Sequence, residues 1–150
     1  MTEITRATSA HEDFIRLVRL LDADLNGRYG QLQAEYDQYN KIEDIGTVVI
    51  SYADGNPVGC GAFKPFDEET VEIKRMFVQP EYRGKGLAGR MLRELEAWAK
   101  KIGFSRSVLE TGKKQVEAIG LYEKHGYRRI PNYGQYIDQP NSVCFEKMIP

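Results

Sequence analysis

The stretch from Thr70 to Ile102 constrains this chain most. It opens with TVEIKRMFV, a β-branched run that reads as a strand, passes through the polar loop QPEYRGKG, and enters LAGRMLRELEAWAKKI. In the last segment Leu87, Met91, Leu95, Trp98 and Ile102 recur every three or four residues, with Arg90, Arg93, Glu94, Glu96 and Lys100 outside that stripe, which predicts an amphipathic helix ended by Gly103. A strand that runs through a glycine-rich loop into a strong helix leaves the first helical N–H groups without intrahelical partners. Gly84 and Gly86 permit backbone angles that turn such donors inward, and the positive end of the helix dipole adds to their pull on an anion. Arg83, Lys85 and Arg90 add fixed charge, and a pyrophosphate is the matching ligand.

The rest of the chain is read around this unit. EITRAT is a short strand. HEDFIRLVRLLDADL carries Phe14, Leu17, Val18, Leu21 and Leu25 at helical spacing, with Ser9 as N-cap, Glu12 three residues on, and Gly27 and Gly30 as breaks. QLQAEYDQYN reads as a short polar helix. TVVISYA and VGCGAFKP form a hairpin about the turn DGNP. In TVEIKRMFV, strict alternation puts Val71, Ile73, Arg75 and Phe77 on one face and Glu72, Lys74, Met76 and Val78 on the other. SVLET is a strand, QVEAIGLYEKHG a helix with Ala118, Leu121 and Tyr122 on one side, and YRRI and SVCFEKMI are closing strands. The order β-α-α-β-β-β-α-β-α-β-β predicts an α/β (α+β) fold. Its mixed, mostly antiparallel sheet has about seven strands, with helices on both faces.

Composition narrows the function classes. A length of 150 residues suits one domain over 1–150 and a core built without disulfides. Cys60 and Cys144 lie in apolar stretches and read as buried reduced thiols, and with only two histidines, His11 and His125, no metal-ligand set is expected. The balance of 21 Lys and Arg against 22 Asp and Glu argues against nucleic acid as the partner. No apolar run approaches the ~18 residues of a membrane span, and the N-terminus lacks the pattern of a secretory signal, so no membrane partner and a cytoplasmic location are expected. Gly84-Lys85-Gly86-Leu87-Ala88-Gly89 also matches the dinucleotide fingerprint G-x-G-x-x-G. However, the insert QPEYR separates strand from glycine, and only 61 residues follow Gly89, too few for the remaining strands of such a fold.

Arg83-x-x-Gly86-x-Ala88 resembles the acetyl-CoA signature of the GNAT superfamily of N-acetyltransferases, a glutamine or arginine, two residues, glycine, one residue, then glycine or alanine. VEIKRMFVQPEYRGKG resembles that family's central strand and its V-x-P-x-x-R-G-x-G loop. AIGLYEKHGY resembles its A-x-x-L-Y helix ending in glycine and an aromatic residue. The resemblance runs from about Gly46 to Arg128. It implies transfer of an acetyl group from acetyl-CoA, a cosubstrate, to a primary amine by direct attack in a ternary complex. It implies a cofactor site made by Met76, Phe77, Val78, Arg83, Gly84, Lys85, Gly86, Leu87 and Ala88, with a backbone N–H of Phe77 or Val78 on the thioester carbonyl. Gln115 stands where many relatives have a pantetheine-binding asparagine. Glu72 corresponds to a base used by some members, beside the cofactor on the face of Met76 and Val78, and Tyr122 to the acid that protonates the departing thiolate. The acceptor pocket is expected from the N-terminal helices and the loop before the last strand, where Asp22, Asp24, Arg28, Tyr29, Tyr133 and Tyr136 suit an amino acid or related small amine. The alternatives are a protein N-acetyltransferase and an acyl-CoA-binding sensor or interaction module without turnover. The terminal strand VCFEKMI offers an edge for pairing across a homodimer.

Overall fold

A computed structural model describes residues 2–29 and 44–150. The order is β1 (Thr2–Ala7), α1 (Glu12–Tyr29), β2 (Val48–Ala53), β3 (Asn56–Pro65), β4 (Thr70–Val78), a short 3-10 turn (Pro80–Tyr82), α2 (Leu87–Lys101), β5 (Arg106–Gly112), α3 (Val116–Lys124), β6 (Arg128–Ile130), a second 3-10 turn (Gly134–Tyr136) and β7 (Ser142–Met148). The helix expected over QLQAEYDQYN lies outside the described residues. The strands form one seven-stranded sheet in the order β1-β2-β3-β4-β5-β7-β6. Every neighbouring pair is antiparallel except β4 and β5. β7 therefore lies between β5 and β6, and the strand expected to offer a dimer edge has both neighbours in place across Cys144–Glu146. Among the described residues no helix is long and apolar enough to cross a membrane.

Two apolar layers hold the sheet. On one face Phe14, Leu17, Val18 and Leu21 of α1 pack on Val48, Ile50, Cys60, Ala62 and Phe77. On the other, Leu87, Met91, Leu92, Leu95 and Ala99 of α2 meet Val49, Phe63, Val71, Ile73 and Leu109. Each such leucine contributes roughly 1.5–3 kcal/mol by leaving water. The α2 stripe differs from the expected one at two positions. Ile102 closes the helix and is exposed, while Glu96 is buried. A buried carboxylate requires partners, and Glu96 has them. It accepts hydrogen bonds from Lys147 Nζ at 2.9 Å and from Tyr127 O–H at 2.9 Å, tying α2 to β7.

Other local rules hold with changes. The β2–β3 turn uses Asp54 and Gly55 at φ 50° and 85°, the left-handed pair of a tight hairpin. α1 begins at Glu12 without Ser9 as its cap. Ser9 Oγ instead accepts from Ile45 N–H at 2.8 Å, and His11 Nδ1 accepts from Asp13 N–H at 3.1 Å. α1 runs through Gly27, so that glycine does not break it.

β4 breaks the expected alternation. Cys60 pairs with Phe77 but Ala62 pairs with Lys74, so β4 carries one extra residue. Arg75 takes it up at φ 61°, a conformation that costs a non-glycine residue roughly 1–2 kcal/mol. Its carbonyl accepts from Cys60 Sγ at 3.3 Å and its guanidinium pairs with Asp22 at 3.2 Å. The bulge reverses which residues face α2. Val71 and Ile73 do so before it, and Met76 and Val78 after it. Phe77 accordingly joins the α1 layer.

Candidate active site

The loop after β4 is built as its glycines suggest. Gly84 and Gly86 sit at φ 79° and 80°, where a side chain would strain the backbone. Gly86 occupies the N-cap of α2. The helix start has no side-chain cap and no acidic residue in its first turn. Its leading N–H groups are thus left for an anion, with the dipole behind them. The basic side chains are less available than the sequence suggests. Arg83 turns inward: its Nε donates to the Val78 carbonyl at 2.8 Å, and its Nη2 lies 4.0 Å from Asp24 of α1. Arg90 donates to Thr2 Oγ1 at 2.6 Å, and Lys85 Nζ lies 5.5 Å over the Tyr82 ring.

A cleft of about 440 Å³ starts at this helix end, with Met76, Phe77 and Val78 of β4 as one wall and Ala118, Leu121 and Tyr122 of α3 as another. Arg83, Gly84, Gly86, Leu87, Ala88 and Gln115 also line it, so nearly all the residues expected at the cofactor meet in one place, and Lys85 is not among the lining residues. Gln115 Oε1 is occupied by the Gly112 N–H at 2.9 Å and closes the β5–α3 turn.

The cleft runs toward an opening in the sheet. β4 and β5 pair only from Thr70↔Arg106 to Ile73↔Leu109. Beyond that point the strands part, and β4 keeps donors that β5 does not take. Gln79 N–H bonds to Val58 O at 2.8 Å toward β3. Residues two apart face the same neighbour, so Phe77 also faces β3 and Val78 faces the gap. The Arg83 bond to the Val78 carbonyl lies on the same side. Of the two backbone N–H groups expected at a thioester, the strand geometry presents that of Val78.

Glu72 is on the other side of the sheet. The bulge separates it from Met76 and Val78, which corrects the expectation that the three share a face. It is 5% exposed and accepts the Tyr133 O–H at 2.6 Å. Tyr133 stacks edge-on between Phe66 at 5.1 Å and Tyr136 at 5.7 Å. Burial and the neighbouring Glu72 carboxylate push the Tyr133 hydroxyl far above the ordinary phenol range. Cys144 belongs to this side too, its thiol pushed up to about 11 mainly by burial. Glu110, the first β5 residue beyond the paired stretch, alternates onto the same face and accepts from Ser142 Oγ at 2.7 Å. Its carboxyl rises to about 7, first through burial and further through Glu72, against the lowering effect of Ser142 and Lys74. Sequence reasoning did not link Glu110 to Glu72, since the two lie on different strands 38 residues apart.

Tyr122 comes from the cleft side. It is 6% exposed, packs near the rings of Tyr127 at 5.9 Å and Phe145 at 6.4 Å, and lines the cleft. Burial, then the Glu110 carboxylate, raises its hydroxyl above the phenol range, so it stays protonated. Asp22, expected at the acceptor, is engaged by Arg75. The side chains of Arg28 and Tyr29 lie outside the described residues.

An uncapped helix start, a cleft and a gap between two parallel strands thus adjoin one another. Comparison with known proteins gives the class of the chain. Residues 14–127 match the model of the acetyltransferase (GNAT) family. The chain is 32% identical to an IAA acetyltransferase of Azospirillum brasilense over 96% of its own length and 95% of that protein. A Klebsiella pneumoniae structure assigned to the acyl-CoA N-acyltransferases superposes with a TM-score of 0.82 at 31% identity, covering 99% of this chain and 98% of that one. A GNAT family acetyltransferase from Elizabethkingia anophelis, solved with acetyl-CoA bound, shares the fold at TM-score 0.71 and 19% identity over 98% of this chain and 97% of that one. The class is that of acyl-CoA-dependent N-acetyltransferases. The chain belongs to the GNAT family.

Proposed function

We propose that this enzyme acetylates the primary amine of a small molecule, the amine attacking acetyl-CoA directly in a ternary complex. The observation that carries the reading is the two-sided site, with the cofactor cleft on the α2 face and Glu72 on the other. The parting of β4 and β5 joins the two. A thioester held by Met76, Phe77, Val78 and the loop Arg83–Ala88 would bring its carbonyl to the Val78 N–H, a fixed donor for the developing oxyanion. Lys85 and Gln115 would complete the grip at the loop and the pantetheine arm.

An alkyl amine with a pKa of about 10.4 is neutral in only about one molecule in 2,500 at pH 7, so the reaction needs a base on the acceptor side. Glu72 takes that role, with Tyr133 orienting it and bordering the acceptor pocket. The proton leaves the ammonium nitrogen for carboxylate, directly or through water. The nitrogen lone pair attacks the carbonyl carbon, the C–S bond breaks, Tyr122 gives its proton to the departing sulfur, and the second proton that nitrogen sheds as the amide forms returns to the Tyr122 oxygen through water. The IAA acetyltransferase relative supports a small acceptor. Asp22, Arg28 and Tyr29 of α1 are the proposed residues on the far side of that pocket, with Asp22 acting through its pair with Arg75.

Release of CoA thiol from acetyl-CoA, measured across a panel of small amines and of peptides with free lysine or N-terminal amines, tests this. Turnover with small amines is expected. Turnover on peptides alone would make the enzyme a protein acetyltransferase, and acyl-CoA binding without turnover on either would make it a sensor.

A further inference from the structure

Glu110 is a carboxyl that the acetyl-transfer reading leaves idle. Its position is set by backbone rules. The β4–β5 ladder ends at Ile73↔Leu109, with Glu72 opposite Val108, so Glu110 lies one diagonal step from Glu72 on the neighbouring strand. Leu109 and Phe145 face the α2 layer, so Glu110 and its partner Cys144 face the same side as Glu72. Glu110 stands one residue past the end of the ladder, and it stays near enough to Glu72 for that carboxylate to favour its protonated form. Ser142 Oγ holds one Glu110 oxygen and Tyr133 O–H holds one Glu72 oxygen, and each carboxyl retains a second oxygen.

We propose that Glu110 and Glu72 work as one proton-accepting pair, in which the proton taken from the acceptor's ammonium at Glu72 is shared with Glu110. The proposal rests on the acetyl-transfer reading for the source of that proton. In the step, one N–H bond of the ammonium breaks, its electron pair stays on nitrogen, and the proton binds the carboxyl pair, which later releases it to water. Burial first, and then the Glu72 carboxylate on the same face, raise the cost of ionising Glu110, so Glu110 is the place on this face where such a proton can rest.

The groups that face Glu110 fit this. From β4 come Glu72, which favours its protonated form, and Lys74, which opposes it. From β7 come Ser142 and Cys144, from α3 Tyr122, and from the 3-10 turn before β7 Tyr136. The two tyrosines stay protonated and Cys144 titrates well above neutrality, which leaves Glu110, among the described residues, as the group that changes charge there near pH 7. Glu110 also acts on Tyr122 across the gap, so the pair lies between the acceptor and the acid that meets the thiolate.

Two measurements on the full chain decide it. In protein labelled with carboxyl-13C glutamate, one resonance is expected to titrate near pH 7, to vanish in Glu110→Gln, and to move to lower pH in Glu72→Gln. In kinetics with an amine that is turned over, kcat/KM is expected to fall about tenfold per pH unit below the midpoint near 7. In Glu110→Gln that acidic limb leaves pH 7 while the KM for acetyl-CoA holds within twofold, and Glu110→Asp restores it. An acidic limb that stays at pH 7 in Glu110→Gln, or a Glu110 resonance indifferent to Glu72→Gln, overturns the pair. If the resonance responds as expected but no amine is acetylated, the coupled carboxyls stand and the acetyl-transfer reading falls.

Discussion

Glu110→Gln carries a stability signature that needs no substrate. The carboxyl titrates at 4.5 when unperturbed and at about 7 in the fold. The shift is upward, so the fold prefers the protonated form. The stability attached to that preference is complete below pH 4.5 and is lost as pH rises through 7. At about 1.4 kcal/mol per pKa unit the loss approaches a ceiling of about 3 kcal/mol, lowered by the partial solvent contact of this half-buried group. Glutamine has nearly the shape of the protonated acid and keeps an oxygen for Ser142 Oγ. The variant should match wild type near pH 4.5 and exceed it by about 2–3 kcal/mol at pH 8. Urea unfolding at half-unit steps between those limits measures the gap. Glu146 and Asp67, both held low by their partners, gain stability with rising pH in both proteins and cancel in the difference. A gap that stays constant within about 0.5 kcal/mol would falsify the claim that Glu110 is held protonated by its surroundings.

Three further outcomes follow from the geometry. A Cβ at Gly61 would meet Met76 Sδ and Leu95 Cδ1. Gly61→Ala should therefore swing the flexible Met76 into the cleft and weaken CoA about tenfold by calorimetry while the chain still folds, and unchanged affinity would show that Met76 does not shape the cleft. Gly86→Ala, at φ 80°, should cost roughly 1–2 kcal/mol of strain and weaken CoA at least fivefold, with equal affinity counting against a role for this helix start. Tyr122→Phe should lower kcat about tenfold to a hundredfold at pH 7, as loss of a general acid does, and leave CoA affinity within twofold; full turnover would reduce Tyr122 to a packing residue.

The sequence by itself determined the local devices. The period of α2, the turn at Asp54–Gly55 and the glycines at 84 and 86 are legible because each depends on a residue's own conformational freedom or on spacing along one element. The cleft wall from Met76 to Ala88 was legible for the same reason, since strand, loop and helix are contiguous. Tertiary structure decided what lies across the sheet. The extra residue at Arg75 reverses the faces of β4 and sends Glu72 away from Met76, and no alternation rule anticipates a bulge whose cost is met by Asp22 and Cys60 from other elements. Arg83 looked like a phosphate ligand and is turned inward by Val78 and Asp24. Glu96 looked exposed and is buried because Lys147 and Tyr127, distant in sequence, satisfy it. Glu110 becomes a partner of Glu72 only once β5 lies parallel to β4, since the charge environment of a carboxyl is set by neighbours that the chain brings together from afar.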